Sequence, residues 1–165
     1  MAPVCIGRKS RLALVCGLVA AVLSLAKPNI SWPATSERIV VNRNTGLAID
    51  GYDPVAYFTD GSAKPGRSEL EINVSGAVWR FVNEGNRAAF EADPEIYTPQ
   101  FGGYDPIAIA RGASTAGHPQ VWMVFGQRLY LFYNAEARSA FAADPNKARG
   151  EADEMWPRVL LTLAP

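Results

Sequence analysis

The 165-residue chain carries 16 basic and 16 acidic side chains, one histidine and two cysteines, Cys5 and Cys16. Both cysteines fall within the first 26 residues, so the chain beyond them has no disulfide, no thiolate metal ligand and no cysteine nucleophile. A length within the ~100–200 residues of one domain predicts a single domain, large enough to hold a packed core.

Arg8, Lys9 and Arg11 precede an apolar run over residues 12–26 that ends on Ser24-Leu25-Ala26. A basic start, a short apolar stretch and a small-x-small end describe a secretory signal peptide over residues 1–26. The run is shorter than the ~20 residues of a membrane-crossing helix; an uncleaved signal anchor is the alternative. Bulky Val15 before Cys16 argues against lipoprotein processing. Cleavage removes 26 of the 165 residues, including three of the 16 basic and none of the 16 acidic side chains, and leaves 139 residues with a net charge of −3. That balance predicts no nucleic-acid partner, since phosphate binding requires a basic face. The expected location is the periplasm or outside the cell. No stable membrane span is expected after cleavage, and a protein partner in the cell envelope is left open. Residues 27–46, rich at their start in Pro28, Ser31, Pro33, Thr35 and Ser36, read as a linker with an edge strand at residues 38–41. Trp32 in that linker is a candidate for docking onto the domain or a membrane surface.

Beyond the linker the chain repeats itself. Gly51-Tyr52-Asp53-Pro54-Val55-Ala56 recurs at an offset of 52 as Gly103-Tyr104-Asp105-Pro106-Ile107-Ala108. Trp79-Arg80-Phe81-Val82-Asn83 recurs at an offset of 51 as Tyr130-Leu131-Phe132-Tyr133-Asn134, and Phe90, Asp93 and Pro94 recur as Phe141, Asp144 and Pro145. Two ordered blocks whose offsets differ by one residue predict two copies of one unit, over residues 51–94 and 103–145.

Each copy reads as helix, hairpin, helix. Asp53 and Asp105 stand where a helix N-cap is wanted, Pro54 and Pro106 suit the first helical position, and Gly61 and Gly112 suit its end. A polar loop follows, then a hairpin. In the first copy Leu70, Ile72 and Val74 alternate with polar residues, Ser75-Gly76 turns, and residues 78–82 return. In the second copy Gly126-Gln127 is a Gly-X pair suited to a type II′ turn. Asn83 and Asn134 are placed to cap the next helices. Ala152, Met155, Trp156, Val159, Leu160 and Leu163 predict a C-terminal helix that Pro157 kinks or divides. The fold class expected is α+β, one compact domain over residues 47–165.

Ile49-Asp50-Gly51-Tyr52-Asp53-Pro54-Val55-Ala56-Tyr57-Phe58 and Gly102-Gly103-Tyr104 resemble the exported bacterial proteins of the YHS domain family over roughly residues 47–160. The resemblance implies a small α+β domain related to cysteine-containing metal-binding modules, and metal handling as the general role. Many exported relatives have Cys after Gly-Gly-Tyr, where this chain has Asp105. A hard carboxylate in place of a soft thiolate disfavours Cu(I) and zinc-thiolate sites and suits a divalent metal on oxygen and nitrogen ligands.

Five side chains are candidates for a binding site: Tyr52, Asp53, Tyr104, Asp105 and His118, with Asp105 and His118 the candidate metal ligands. The competing reading makes Asp53 and Asp105 helix caps, the two tyrosines core residues and His118 an exposed loop residue. If Asp105 only caps, Asn should replace it silently. Gly102-Gly103 reads as a turn of unusual φ. The function expected is a non-catalytic binding module for a metal ion or small ligand. The alternative is a structural or protein-interaction domain without the family's metal site, and a carboxylate enzyme is disfavoured.

Overall fold

Each Tyr-Asp-Pro motif leads the chain out of a single 3-10 turn and into a short helix. The computed structural model describes Met1 and residues 38–163; the expected signal peptide, its cleavage site and Trp32 lie outside the described residues. Apart from Met1, everything described belongs to the unit Ser31–Pro165. After the 3-10 turn Ile49–Gly51 come α1 (Ala56–Thr59), the strands β1 (Arg67–Val74) and β2 (Ala77–Phe81), then α2 (Glu84–Ala92) and α3 (Pro94–Tyr97). After the 3-10 turn Gln100–Gly103 come α4 (Pro106–Ala110), β3 (His118–Phe125), β4 (Arg128–Phe132), α5 (Ala135–Ala143) and α6 (Pro145–Leu160). The fold is α+β, and the described residues form two antiparallel two-stranded sheets.

The hairpins pair Ile72 with Trp79 and Val74 with Ala77, and Trp122 with Leu131 and Phe125 with Arg128. Each ladder slips once near its open end, between Arg67 and Glu71 and between His118 and Trp122. The turn at Gly126-Gln127 is not type II′. Both central residues have positive φ (57° and 58°), as do Ser75 and Gly76 (56° and 78°), which is the type I′ signature. Type I′ matches the right-handed twist of the flanking strands even though it forces Gln127 into the left-handed region.

Two further expectations need correcting. Residues 38–41 add no strand to either sheet: their β pairing is one bridge, Val41 to Ala48. Val40 instead spans the two 3-10 turns, donating to the Gly102 carbonyl (2.8 Å) and accepting from the Ile49 N–H (3.2 Å). Nor does Pro157 divide the last helix, since α6 runs unbroken through it. Pro157 and Asp153, whose carbonyl loses its helical donor, both face solvent, so water can satisfy the freed group.

The apolar side chains form two clusters. The first gathers Ile49, Val55, Tyr57, Leu70, Trp79, Phe81 and Phe90; the second gathers Ile109, Tyr130, Phe132, Phe141, Ala152 and Val159. Strand β4 serves both. Leu129 and Leu131 join the first cluster while Tyr130 and Phe132 join the second, as the period-2 alternation of a strand requires. A strand covered on both faces reads as a continuous apolar run, which Leu129 to Phe132 is. Strand β2 buries only one face, Ala77, Trp79 and Phe81. Phe90 sits 4.9 Å from Trp79 and 5.3 Å from Phe81; Phe141 sits at the same 4.9 Å and 5.3 Å from Tyr130 and Phe132.

Candidate functional site

Asp53 and Asp105 are buried, at 0% and 2% exposure, and each ties its helix to its hairpin. Asp53 Oδ1 accepts from the N–H groups of Val55 (2.8 Å) and Ala56 (3.2 Å), while Oδ2 accepts from Val82 N–H (2.8 Å) and Asn86 Nδ2 (2.7 Å). Four donors fill the about four acceptor sites of a carboxylate. Asp105 Oδ1 accepts from Ile107 N–H (2.8 Å), capping α4, and Oδ2 accepts from Tyr133 N–H (2.9 Å). Asp105 is thus more than a cap: both oxygens must accept, so an amide cannot replace the carboxylate silently. The main chain repeats the arrangement, with Asp53 N–H on the Lys64 carbonyl and Asp105 N–H on the Thr115 carbonyl.

What differs is the last donor. The residue 51 positions beyond Asn86 is Ala137, which has no side-chain N–H to offer. A cleft of 680 Å³ opens there, lined among others by Asp105, Arg111, Thr115, Tyr133, Glu136 and Ala137. Its volume falls in the range of small-molecule sites. Tyr133 stands 62% exposed at the end of β4, where the first half has half-buried Val82. A large exposed aromatic beside a buried carboxylate gives the cleft one flat apolar wall and one acceptor. Asn134, which also lines the cleft, caps α5 by accepting from Ala137 N–H (2.9 Å).

The other predicted residues lie elsewhere. Tyr52 Oη accepts from Gln120 Nε2 (3.0 Å), which links the first 3-10 turn to β3. Tyr104 is buried in the second cluster, 6.1 Å from Trp156. His118 is exposed at the start of β3, its Nδ1 accepting from Gln120 N–H (3.1 Å). Asp53, Asp105 and His118 do not assemble into a ligand set: among the described residues no group of three or more His, Cys, Asp or Glu side chains is placed to hold a metal. Gly102 and Gly103 form the expected turn, with φ of 64° and 91°.

Sequence reasoning did not single out Arg111, Tyr133, Glu136 or Ala137. The available signal was the recurring motif: asking where residues 103–145 fail to match residues 51–94 leads to Ala137. The strongest electrostatic perturbation lies outside the cleft. Burial, reinforced by Tyr52 and Asp53, pushes the Tyr57 phenol far above its ordinary value of 10.0. Tyr57 stays neutral and donates to the Pro119 carbonyl at 2.8 Å.

No family model, curated protein or solved structure matches the chain. No helix among the described residues is long and apolar enough to cross a membrane.

Proposed function

We propose that this chain is an exported, non-catalytic binding module of the YHS kind, built from two copies of one helix–hairpin–helix unit and binding a small polar ligand in the cleft at Asp105. The observation that carries the reading is the exchange of Asn86 for Ala137 at the 51-residue offset, which withdraws a donor from a buried carboxylate and leaves open space beside it. Support for the duplication comes from the paired motifs, the identical element order and the matched Asp53 and Asp105 bonds. A small ligand is favoured over a metal ion because, among the described residues, no cluster of three ligating side chains accompanies Asp105 or His118. Both buried aspartates spend their oxygens on structural hydrogen bonds, so neither Asp53 nor Asp105 is free to act as a general base.

The same observation favours a second reading, a structural or interaction domain in which the two aspartates serve the fold alone. An NMR titration of the exported chain with a library of small polar molecules separates the two. Binding predicts shifts concentrated at Asp105, Tyr133 and residue 137 that weaken in Ala137→Asn, whose amide takes the place beside Asp105. A library that perturbs none of these residues leaves the scaffold reading.

A further inference from the structure

The cleft at Asp105 differs from its counterpart in the first half by more than one side chain. At an offset of 51 the ion pair Asp60–Lys64 (2.6 Å) becomes Arg111 and Thr115: the charge reverses and its partner is lost. The helix-start pair Glu84–Arg87 (3.3 Å) also disappears, because Ala135 replaces Glu84. The acid of α5 lies one position further on, at Glu136, where it lines the cleft. Arg111 and Glu136 are both exposed, and neither makes an ion pair within 4.0 Å among the described residues. Two opposite charges thus border one 680 Å³ cleft without neutralising each other or being neutralised by a neighbour.

We infer that the ligand is a small zwitterion, its anionic end held by Arg111 and its cationic end by Glu136 and the Asp105 side of the cleft, with its stem against the Tyr133 ring. The inference rests on the cleft being the binding site and adds the ligand's chemical class. A guanidinium presents its donors in a planar fork that fits a carboxylate, and the carboxylate of Glu136 accepts from an ammonium group. The exposed phenol ring adds a face that an ammonium or its methylene stem can cover. A ligand of a single charge satisfies one of these groups and leaves the other facing solvent unpaired. The class therefore contains amino acids and ω-amino acids rather than simple anions or amines.

The test titrates the exported chain, by NMR, with three probes of one chain length: 4-aminobutanoate, butylamine and butanoate. The zwitterion should bind about fivefold more tightly than either single-charge probe, which is the worth of one solvent-accessible ion pair near the upper end of its range. Arg111→Gln should reduce 4-aminobutanoate to the affinity of butylamine, and Glu136→Gln should reduce it to that of butanoate. Both positions are exposed, and circular dichroism checks that the variants fold. Affinities of the three probes within twofold of one another, or an advantage unchanged by both variants, overturn the zwitterion. If butylamine or butanoate then still binds at Ala137 and Tyr133, the cleft reading survives its ligand class. If no probe moves those residues, the class falls and the polar-molecule library decides the cleft.

Discussion

Tyr57 and Pro119 are separated by 62 positions, yet the phenol of the first donates a 2.8 Å hydrogen bond to the carbonyl of the second. The ring of Tyr57 also meets Trp122 edge-on at 5.1 Å, so one residue of α1 is fixed against β3 by both its polar tip and its face. Together with Tyr52 on Gln120, this contact ties the first half of the domain to the second. Tyr57→Phe keeps the ring and removes the donor. It should destabilise the protein by about 1–3 kcal/mol, the range for leaving a buried carbonyl unsatisfied, measured by urea denaturation.

The same phenol predicts an alkaline limit. Its pKa is raised above 10.0 in the folded protein, chiefly by burial, so between that value and the folded one the native state binds a proton the unfolded chain has lost. Stability is therefore full below about pH 10 and falls as pH rises above it, at about 1.4 kcal/mol per pH unit for one such proton. Burial raises Tyr130 in the same direction. Melting temperatures across pH 9–12 should fall less steeply for Tyr57→Phe than for wild type. Parallel slopes would show that Tyr57 does not govern the limit.

The type I′ turn at Gly126-Gln127 carries its own test. Gln127 has φ of 58°, a region that a residue with Cβ occupies at a cost and glycine does not. Gln127→Gly should stabilise the domain by about 0.5–1 kcal/mol. A type II′ turn would leave Gln127 at negative φ, and glycine there would destabilise instead, so the sign of the change in chemical denaturation identifies the turn.

How far these features could be read from the sequence depended on whether their cause was local. The caps at Asn83, Asn134 and Asp105 were legible because a side chain bonds an N–H two or three residues on. The two-faced burial of β4 was not, because what covers Leu129 and Leu131 comes from the other half of the chain. Pro157 misled because its cost depends on whether the freed carbonyl reaches water, which only the orientation of α6 decides. The cleft was present in the sequence only as a mismatch between two otherwise similar segments, residues 51–94 and 103–145.

The aspartates should respond unequally to the same substitution. In Asp105→Asn one oxygen can still cap Ile107, but the amide then turns an N–H toward the Tyr133 N–H. A loss of about 1–3 kcal/mol follows. In Asp53→Asn the new amide turns an N–H either toward the Val55 and Ala56 N–H groups or toward the Val82 N–H, with Asn86 flipping its oxygen to meet it. A charged acceptor of four donors is lost, so the loss should be larger. Equal losses in thermal denaturation would contradict the hydrogen-bond inventory.

Exchanging the side chains at residues 86 and 137, where the two similar segments differ, gives the most direct test of why the cleft exists. Asn86→Ala removes a 2.7 Å bond to a buried carboxylate and should cost about 1.5–3 kcal/mol, the range for a hydrogen bond to a charged group. Ala137→Asn is the converse change. It places an amide where Asn86 stands relative to Asp53, beside a carboxylate that accepts two N–H donors among the described residues, in a cleft with room for it. It should stabilise the ligand-free protein by about 0.5–1.5 kcal/mol, a typical net hydrogen bond. Stabilisation accompanied by loss of ligand shifts means the chain forgoes stability at residue 137 to keep the cleft open, as binding sites in general do. A destabilising Ala137→Asn would mean that Asp105 and Asp53 do not have equivalent surroundings, and that the missing amide is not what opens the cleft.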